Sequence, residues 1–418
     1  MSFTSPFKKL FFWFVVFIVL IEILVRVFPV YYFEKPEKFL ITYIREKIER
    51  GKNEYDIIIL GDSRSMSFNP SNFRNIYNFS LPAMGTRYYK YFMKKYLHYN
   101  KKPKAVIFAG SPTLVHSGKG NPLVDQRLVN FVYPDMPLKE YIYVRTIKRV
   151  LNLKQEFMSP QPKYNEEFWW EFFSHRFLFL FSTWEISEIY RGPEWFFIVS
   201  QSIPLNYHTF KYRDAILNLF KLETYLFQKN EYGTPNCSCN RIYETECQPP
   251  KSGLQDNLIM KRNIEKHHGF YNISDRISKD KILQWQAQVQ IMKERQINVA
   301  NSEPPMDFSY TKEFLEFLNQ NQILYIYLTA PFPKYFQNGK YLKKFYQEFE
   351  AFLKDYPHAK IYYLKNQFLD ENLFSDQVHL LCEGAQLINE ELQNETLPEI
   401  VKFIEKRYVE LYSNQNQH

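Results

Sequence analysis

The sequence predicts an α/β protein: a parallel sheet with helices on both sides in a three-layer α/β/α arrangement, interrupted by a large insertion and preceded by one membrane-spanning helix. Three observations carry this. Short unbroken apolar runs alternate with helical stretches near both ends of the chain, the pattern of strands buried on both faces. Residues 116–300 lose that alternation. A long apolar run starting at Leu10 precedes everything else.

From Leu10 to Val30 the chain is nearly all rings and branched aliphatics. At ~1.5 Å of rise per residue, a helix over it spans about 30 Å of hydrocarbon. Glu22 and Arg26 are four apart and share one helix face near the far end, where they can pair. No small-x-small cleavage site follows, so the run reads as an uncleaved signal anchor. Lys8 and Lys9 precede it, which predicts a cytoplasmic N-terminus and an extracytoplasmic, periplasmic remainder. Residues 1–32 are therefore taken as stub and anchor, and residues 33–54 as a juxtamembrane segment with a helix over Lys38–Arg50.

Residues 55–115 begin the α/β domain. Tyr55-Asp-Ile-Ile-Ile-Leu60 is an apolar strand stopped by Gly61, Ile76–Phe79 a second, and Thr86–Leu97 a helix. Ala105–Ala109 repeats the strand, followed by Gly110 and a Pro112 turn. Residues 301–412 resume the pattern. Strands are expected at Ile323–Thr329 and Lys360–Leu364, with helices over Thr311–Asn319, Tyr341–Lys354 and Glu383–Tyr412. Residues 116–300 carry the aromatic blocks Phe168–Phe173 and Trp195–Phe197 and read as a partly helical insertion. Residues 413–418 are expected to be a disordered tail.

Composition narrows the function classes. With 45% apolar residues in a 418-residue chain, a sizeable core is available and full disorder is excluded. The net charge of +8 is spread without a basic run, so nucleic acid is not the expected partner. Glycine is scarce, at 12 residues, and no Gly-rich phosphate loop is present, so no nucleotide cofactor is expected. Cys237, Cys239 and Cys247 crowd one loop, and in an oxidising compartment a disulfide within the cluster is expected. They lack paired C-x-x-C spacing, so no metal is expected. Cys382 reads as a small buried hydrophobe.

The chemistry-bearing residues lie at strand ends. Gly61-Asp62-Ser63 follows the first strand, where functional groups gather in parallel α/β sheets. A serine hydroxyl needs a base and an orienting carboxylate to act as a nucleophile. Phe374-Ser-Asp376-Gln-Val-His379 supplies both, with the two residues three apart in one loop. Asp376 can hold one imidazole nitrogen while the other meets Ser63. Helix capping by Ser63 and Asp376, with a surface His379, is the plain structural alternative. His98, His116, His175, His208, His267, His268 and His358 have no comparable partners and read as structural or solvent-exposed.

Gly-Asp-Ser after a buried strand, with Asp376-x-x-His379 near the C-terminus, resembles the SGNH (GDSL-type) esterase and acyltransferase superfamily. Asn78-Phe-Ser-Leu-Pro-Ala-Met-Gly85 is similar to its second block. The resemblance implies that the Gly85 N–H lines an oxyanion hole and that Asn78 supports it. The family's third block, Gly-x-Asn-Asp, is here Gly110-Ser-Pro-Thr113, without the oxyanion asparagine; Arg64 and Arg87 are candidates to replace it. Such blocks behind an anchor resemble the membrane-bound proteins of alginate O-acetylation and teichoic acid D-alanylation. That resemblance implies an esterase or O-acyltransferase acting on an envelope glycan or lipid beside a multi-pass membrane O-acyltransferase. The rival expectation is a catalytically silent module of the same scaffold that binds an envelope polysaccharide or that acyltransferase.

Overall fold

The computed structural model describes residues 6–28, 30–34, 36–82, 84–116, 212, 215, 216, 253–272, 274 and 279–412. The aromatic blocks, Cys237, Cys239, Cys247 and the tail lie outside them. Contacts divide the chain into two units. One comprises Met1–Leu40, Pro137–Gln228 and Ser252–Asn257; the other comprises Ile41–Met136, Lys229–Lys251 and Leu258–His418.

In the first unit, helix α1 (Pro6–Val27) is long and apolar enough to cross a membrane. It ends at Val27 rather than Val30, one residue before Phe28, which precedes Pro29 and is thereby turned from helical geometry. Its rings are not a core face: Leu10, Trp13 and Phe17 are 57–70% exposed. Arg26 donates to Glu22 at 2.9 Å, as the spacing predicted. Val30–Phe33 forms a single 3-10 turn. The Asn257 amide donates to the Tyr32 and Glu34 carbonyls, both at 2.7 Å, and fixes the chain just after it.

The second unit is built on a five-stranded, all-parallel sheet. Its strands are β1 (Ile57–Gly61), β2 (Ile76–Asn78), β3 (Ala105–Gly110), β4 (Leu324–Thr329) and, numbered after the short β5 (Phe332–Pro333), β6 (Ala359–Tyr362). The spatial order is β2-β1-β3-β4-β6. The chain moves outward from β1 to β2 and then crosses back to β3, so the direction of winding reverses between β1 and β3. In open α/β sheets the crevice at such a reversal, beyond the strands' C-terminal ends, is where ligands bind.

Unbroken apolar strands fit because both faces are covered. On one face Ile57, Ile59, Ile107, Ile326 and Leu328 pack against Ile388, Leu392, Ile400 and Ile404 of the C-terminal helices. The alternate residues face α3 (Thr86–Tyr99), α7 (Ser309–Gln320) and α8 (Lys340–Leu353). There Phe108 meets Tyr89 edge-on at 5.4 Å, Tyr325 meets Phe314 at 6.1 Å, and Tyr327 lies between Phe345 and Phe349. Each such buried side chain contributes about 1.5–3 kcal/mol relative to exposure. Much of the chain's unusual Tyr and Phe content in this unit is therefore core.

The helix expected over Glu383–Tyr412 is an unbroken helical run in which a π-helical turn at Leu392–Thr396 lies between α9 (Cys382–Glu391) and α10 (Leu397–Tyr412). Pro398, which can donate no N–H, follows directly on that turn, the kind of place where the helical hydrogen-bond ladder is interrupted. A second, two-stranded sheet pairs Phe332–Pro333 with β7 (Phe368–Leu369), which no periodicity signalled. The insertion contributes α5 (Gly253–Lys266) and α6 (Lys279–Ala300), preceded by the short α4 (Pro112–His116) and after α2 (Pro36–Glu49).

Candidate active site

Ser63 and His379, 316 residues apart in sequence, meet at the C-terminal edge of the sheet. His379 Nε2 lies 2.8 Å from Ser63 Oγ, and His379 Nδ1 lies 2.6 Å from Asp376 Oδ2. The other carboxylate oxygen, Asp376 Oδ1, accepts the N–H groups of Val378 and His379, both at 2.8 Å. The Asp-x-x-His spacing thus closes a tight turn in which one carboxylate orders both the loop and the ring.

Further bonds hold this loop. The Ser375 N–H donates to the His379 carbonyl at 2.8 Å, Phe374 bridges Leu380, and the Leu381 N–H donates to the Leu373 carbonyl. From α6, the Gln286 amide donates to the Phe374 carbonyl at 3.1 Å. Burial pushes the Asp376 carboxyl up, but the His379 ring and the two backbone N–H groups outweigh it and hold it below the usual carboxylate range. An ionised Asp376 accepts only, so His379 Nδ1 carries the proton and Nε2 presents its lone pair to the serine.

The serine loop is held as firmly. Gly61 is pinned by Tyr89, whose hydroxyl accepts the Gly61 N–H at 2.8 Å and donates to the Gly61 carbonyl. No larger residue fits, because a Cβ there would overlap the Ala109 carbonyl oxygen. The buried Asp62 carboxylate accepts the Arg64 N–H at 3.0 Å and the Ser111 N–H at 3.1 Å. Ser65 Oγ donates to the Asp62 carbonyl or Ser80 Oγ, both at 2.9 Å. On the far side Asn389 of α9 donates to the Ser67 carbonyl at 2.9 Å and accepts the Asn69 N–H at 2.7 Å.

Asn78 is a support: its amide donates to the Ser65 and Phe68 carbonyls at 2.7 and 2.9 Å, and its carbonyl accepts the Ser80 N–H. Gly85 is the N-cap of α3, and neither its N–H nor that of Ser63 donates to any described residue. At the third block, Ser111 Oγ and Thr113 Oγ1 lie 2.8 Å apart and exposed. Arg87 stacks on Tyr310 at 4.6 Å and Arg64 on Phe332 at 4.6 Å. Beside the Asp376 loop a cleft of about 250 Å³ is lined by Trp285, Gln288 and Val289 of α6 together with Asp376, Gln377 and Val378.

Sequence reasoning missed Asp62, Tyr89 and Asn389 as organisers of the site. The signal for Asp62 was present, a carboxylate in the turn after a buried strand; nothing local marks Asn389, whose partners lie some 320 residues away. Cys382 is buried at the start of α9, as expected, and is in addition disulfide-bonded. Comparisons with protein-family models and with curated proteins find no match for this chain.

Proposed function

We propose that the chain is a membrane-anchored, extracytoplasmic serine esterase or O-acyltransferase of SGNH type that modifies an envelope glycan or lipid. The observation that carries this is the Ser63–His379–Asp376 relay, with its 2.8 and 2.6 Å contacts at the reversal point of a parallel sheet. Supporting it are the helices on both sheet faces, read as the three-layer SGNH arrangement, and α1, read as a single-pass anchor with a cytoplasmic N-terminus. A disulfide at Cys382 accords with an oxidising compartment.

Ser63 Oγ attacks the acyl carbonyl as its proton passes to His379 Nε2, and the carbonyl π electrons move onto the oxygen. The N–H groups of Ser63 and Gly85, which donate to no described residue, are read as the donors to that developing charge. Collapse expels the alcohol or thiol, which takes the proton from His379 and leaves an acyl-serine. A water or sugar hydroxyl then gives its proton to His379 and attacks the acyl carbon, and collapse breaks the bond from the acyl carbon to Ser63 Oγ, which takes the proton back from His379. Water makes the chain an esterase; a glycan hydroxyl, seated in the Trp285 cleft, makes it a transferase working beside a multi-pass membrane acyltransferase.

Fluorophosphonate labelling and acetate release from 4-nitrophenyl acetate test this in the full-length protein. Both are expected to vanish in Ser63→Ala and to fall to background in His379→Ala. Equal signals in the wild type and both variants would leave a binding module on the same scaffold.

A further inference from the structure

We propose that the cleft beside the Asp376 loop is a saccharide subsite for an uncharged sugar ring, with Trp285 as its platform and Gln288 as its hydrogen-bonding group. Its role as the acceptor's seat rests on the reading of Ser63 as nucleophile, and it narrows the substrate class to a neutral glycan.

The cleft has two walls. Trp285, Gln288 and Val289, spaced three and four apart, share one face of α6; Asp376, Gln377 and Val378 stand opposite. Other side chains of α6 tie the walls together. Gln286 donates to the Phe374 carbonyl at 3.1 Å, Gln296 donates to Gln377 Oε1 at 2.7 Å, and Lys293 pairs with Glu371 at 2.9 Å. The opening is thus fixed at both ends before any ligand enters. The Asp376 wall also belongs to the relay, through His379 Nδ1 at 2.6 Å and on to Ser63 Oγ, 2.8 Å from Nε2. A ring held on Trp285 therefore lies against the residue that orients the base.

The lining decides the chemistry of the occupant. Trp285 is half-buried, and its indole, with two valines, offers apolar surface to the C–H face of a pyranose. Gln288 is exposed, and its amide both donates and accepts, as a sugar hydroxyl does. Among the described residues no lysine, arginine or histidine lines the cleft, so an anion would meet only the like charge of Asp376. An ammonium would have to compete for Asp376 with the His379 ring and two backbone N–H groups. A lipid chain would cover the amides and the carboxylate without pairing them. The volume, about 250 Å³, falls below the roughly 300–1,000 Å³ of pockets for drug-sized ligands and suits a single ring.

The test uses the full-length Ser63→Ala chain in a polyoxyethylene detergent, which has no sugar headgroup. Saturation-transfer NMR with the methyl glycosides of glucose, galactose, mannose and N-acetylglucosamine is expected to show binding of at least one, strongest at the ring C–H protons. Adding Trp285→Ala weakens it about 10-fold or more, and Trp285→Phe retains part of it. Gln288→Ala, a surface change, weakens it less. No binding of any of the four, or equal binding after Trp285→Ala and Gln288→Ala, overturns the subsite. Tighter binding of sodium glucuronate or of glucosamine than of every neutral glycoside overturns the uncharged class. In the active chain, with 4-nitrophenyl acetate as donor, the ratio of acetylated glycoside to acetate should fall about 10-fold in Trp285→Ala. An unchanged ratio overturns the acceptor role. Trp285-dependent glycoside binding in a chain that cleaves no ester would instead sink the serine-enzyme reading and leave the subsite standing.

Discussion

Asp62 reaches from the end of β1 to Ser111 at the end of β3, its Oδ2 accepting the Ser111 N–H at 3.1 Å while Oδ1 accepts the Arg64 N–H at 3.0 Å. The carboxylate next to the nucleophile is therefore a strut between the two strands that flank the crevice. An asparagine has one acceptor oxygen, so Asp62→Asn leaves its NH₂ facing an N–H donor. A loss of about 1–3 kcal/mol in urea unfolding is expected, with slower fluorophosphonate labelling as the serine turn loosens. Unchanged stability in Asp62→Asn would show that the strut carries no load.

Asp376→Asn tests the orientation of the ring. The asparagine carbonyl can still accept the Val378 and His379 N–H groups, so the loop survives. Its NH₂ then faces His379 Nδ1, which must become an acceptor, and the proton moves to Nε2, which can no longer take one from Ser63. Turnover is expected to fall on the order of 10⁴-fold with a small change in melting temperature. A variant that keeps its rate would mean that Asp376 does not fix the tautomer.

Gly61→Ala tests the sheet rather than the chemistry. The added methyl would meet the Ala109 carbonyl and Ser65 Oγ, and the Ala109 carbonyl belongs to a neighbouring central strand that cannot withdraw without breaking its ladder. Destabilisation of about 3 kcal/mol or more is expected from denaturant titration, with loss of labelling at the same midpoint. Normal stability would contradict the close approach of β1 and β3.

The central strands were legible because burial on both faces leaves a continuous apolar run, as in Ile57–Leu60 and Ala105–Ala109. Ser63, Asp376 and His379 were legible because each falls in a turn directly after or before such an element. What escaped depends on contacts far apart in sequence. The two-residue pairing of Phe332–Pro333 with Phe368–Leu369 is too short to carry a period, and the π-helical turn at Leu392–Thr396 keeps helical spacing while changing the hydrogen bonds. The hydrogen bonds of Asn389 to Ser67 and Asn69 and the unpartnered Arg64 Nη1 exist only once the chain has folded.

Two buried histidines outside the relay predict the acid limit of the fold. Burial lowers both His116 and His358 below the ordinary 6.5, despite opposing help from nearby acids or carbonyls. His116 is bonded to the Tyr341 hydroxyl, and His358 donates to the Leu315 carbonyl at 3.1 Å with its Nδ1 buried and unpartnered. Well above pH 6.5 both are neutral, folded or unfolded, and stability is at its full value. As the pH falls below 6.5 the unfolded chain takes up protons that the folded chain refuses, so stability declines until the lowered native values are reached. The slope is at most about 1.4 kcal/mol per pH unit for each group. Asp376 adds no slope in this range: its stabilisation is fully present there and is lost only as the pH falls through 3.8 towards its lower native value. Melting temperatures between pH 7.5 and pH 5 are expected to drop in the wild type and to flatten in His358→Gln, whose amide can still donate to Leu315 but takes up no proton. Parallel curves for the two proteins would show that His358 is not held neutral by its burial.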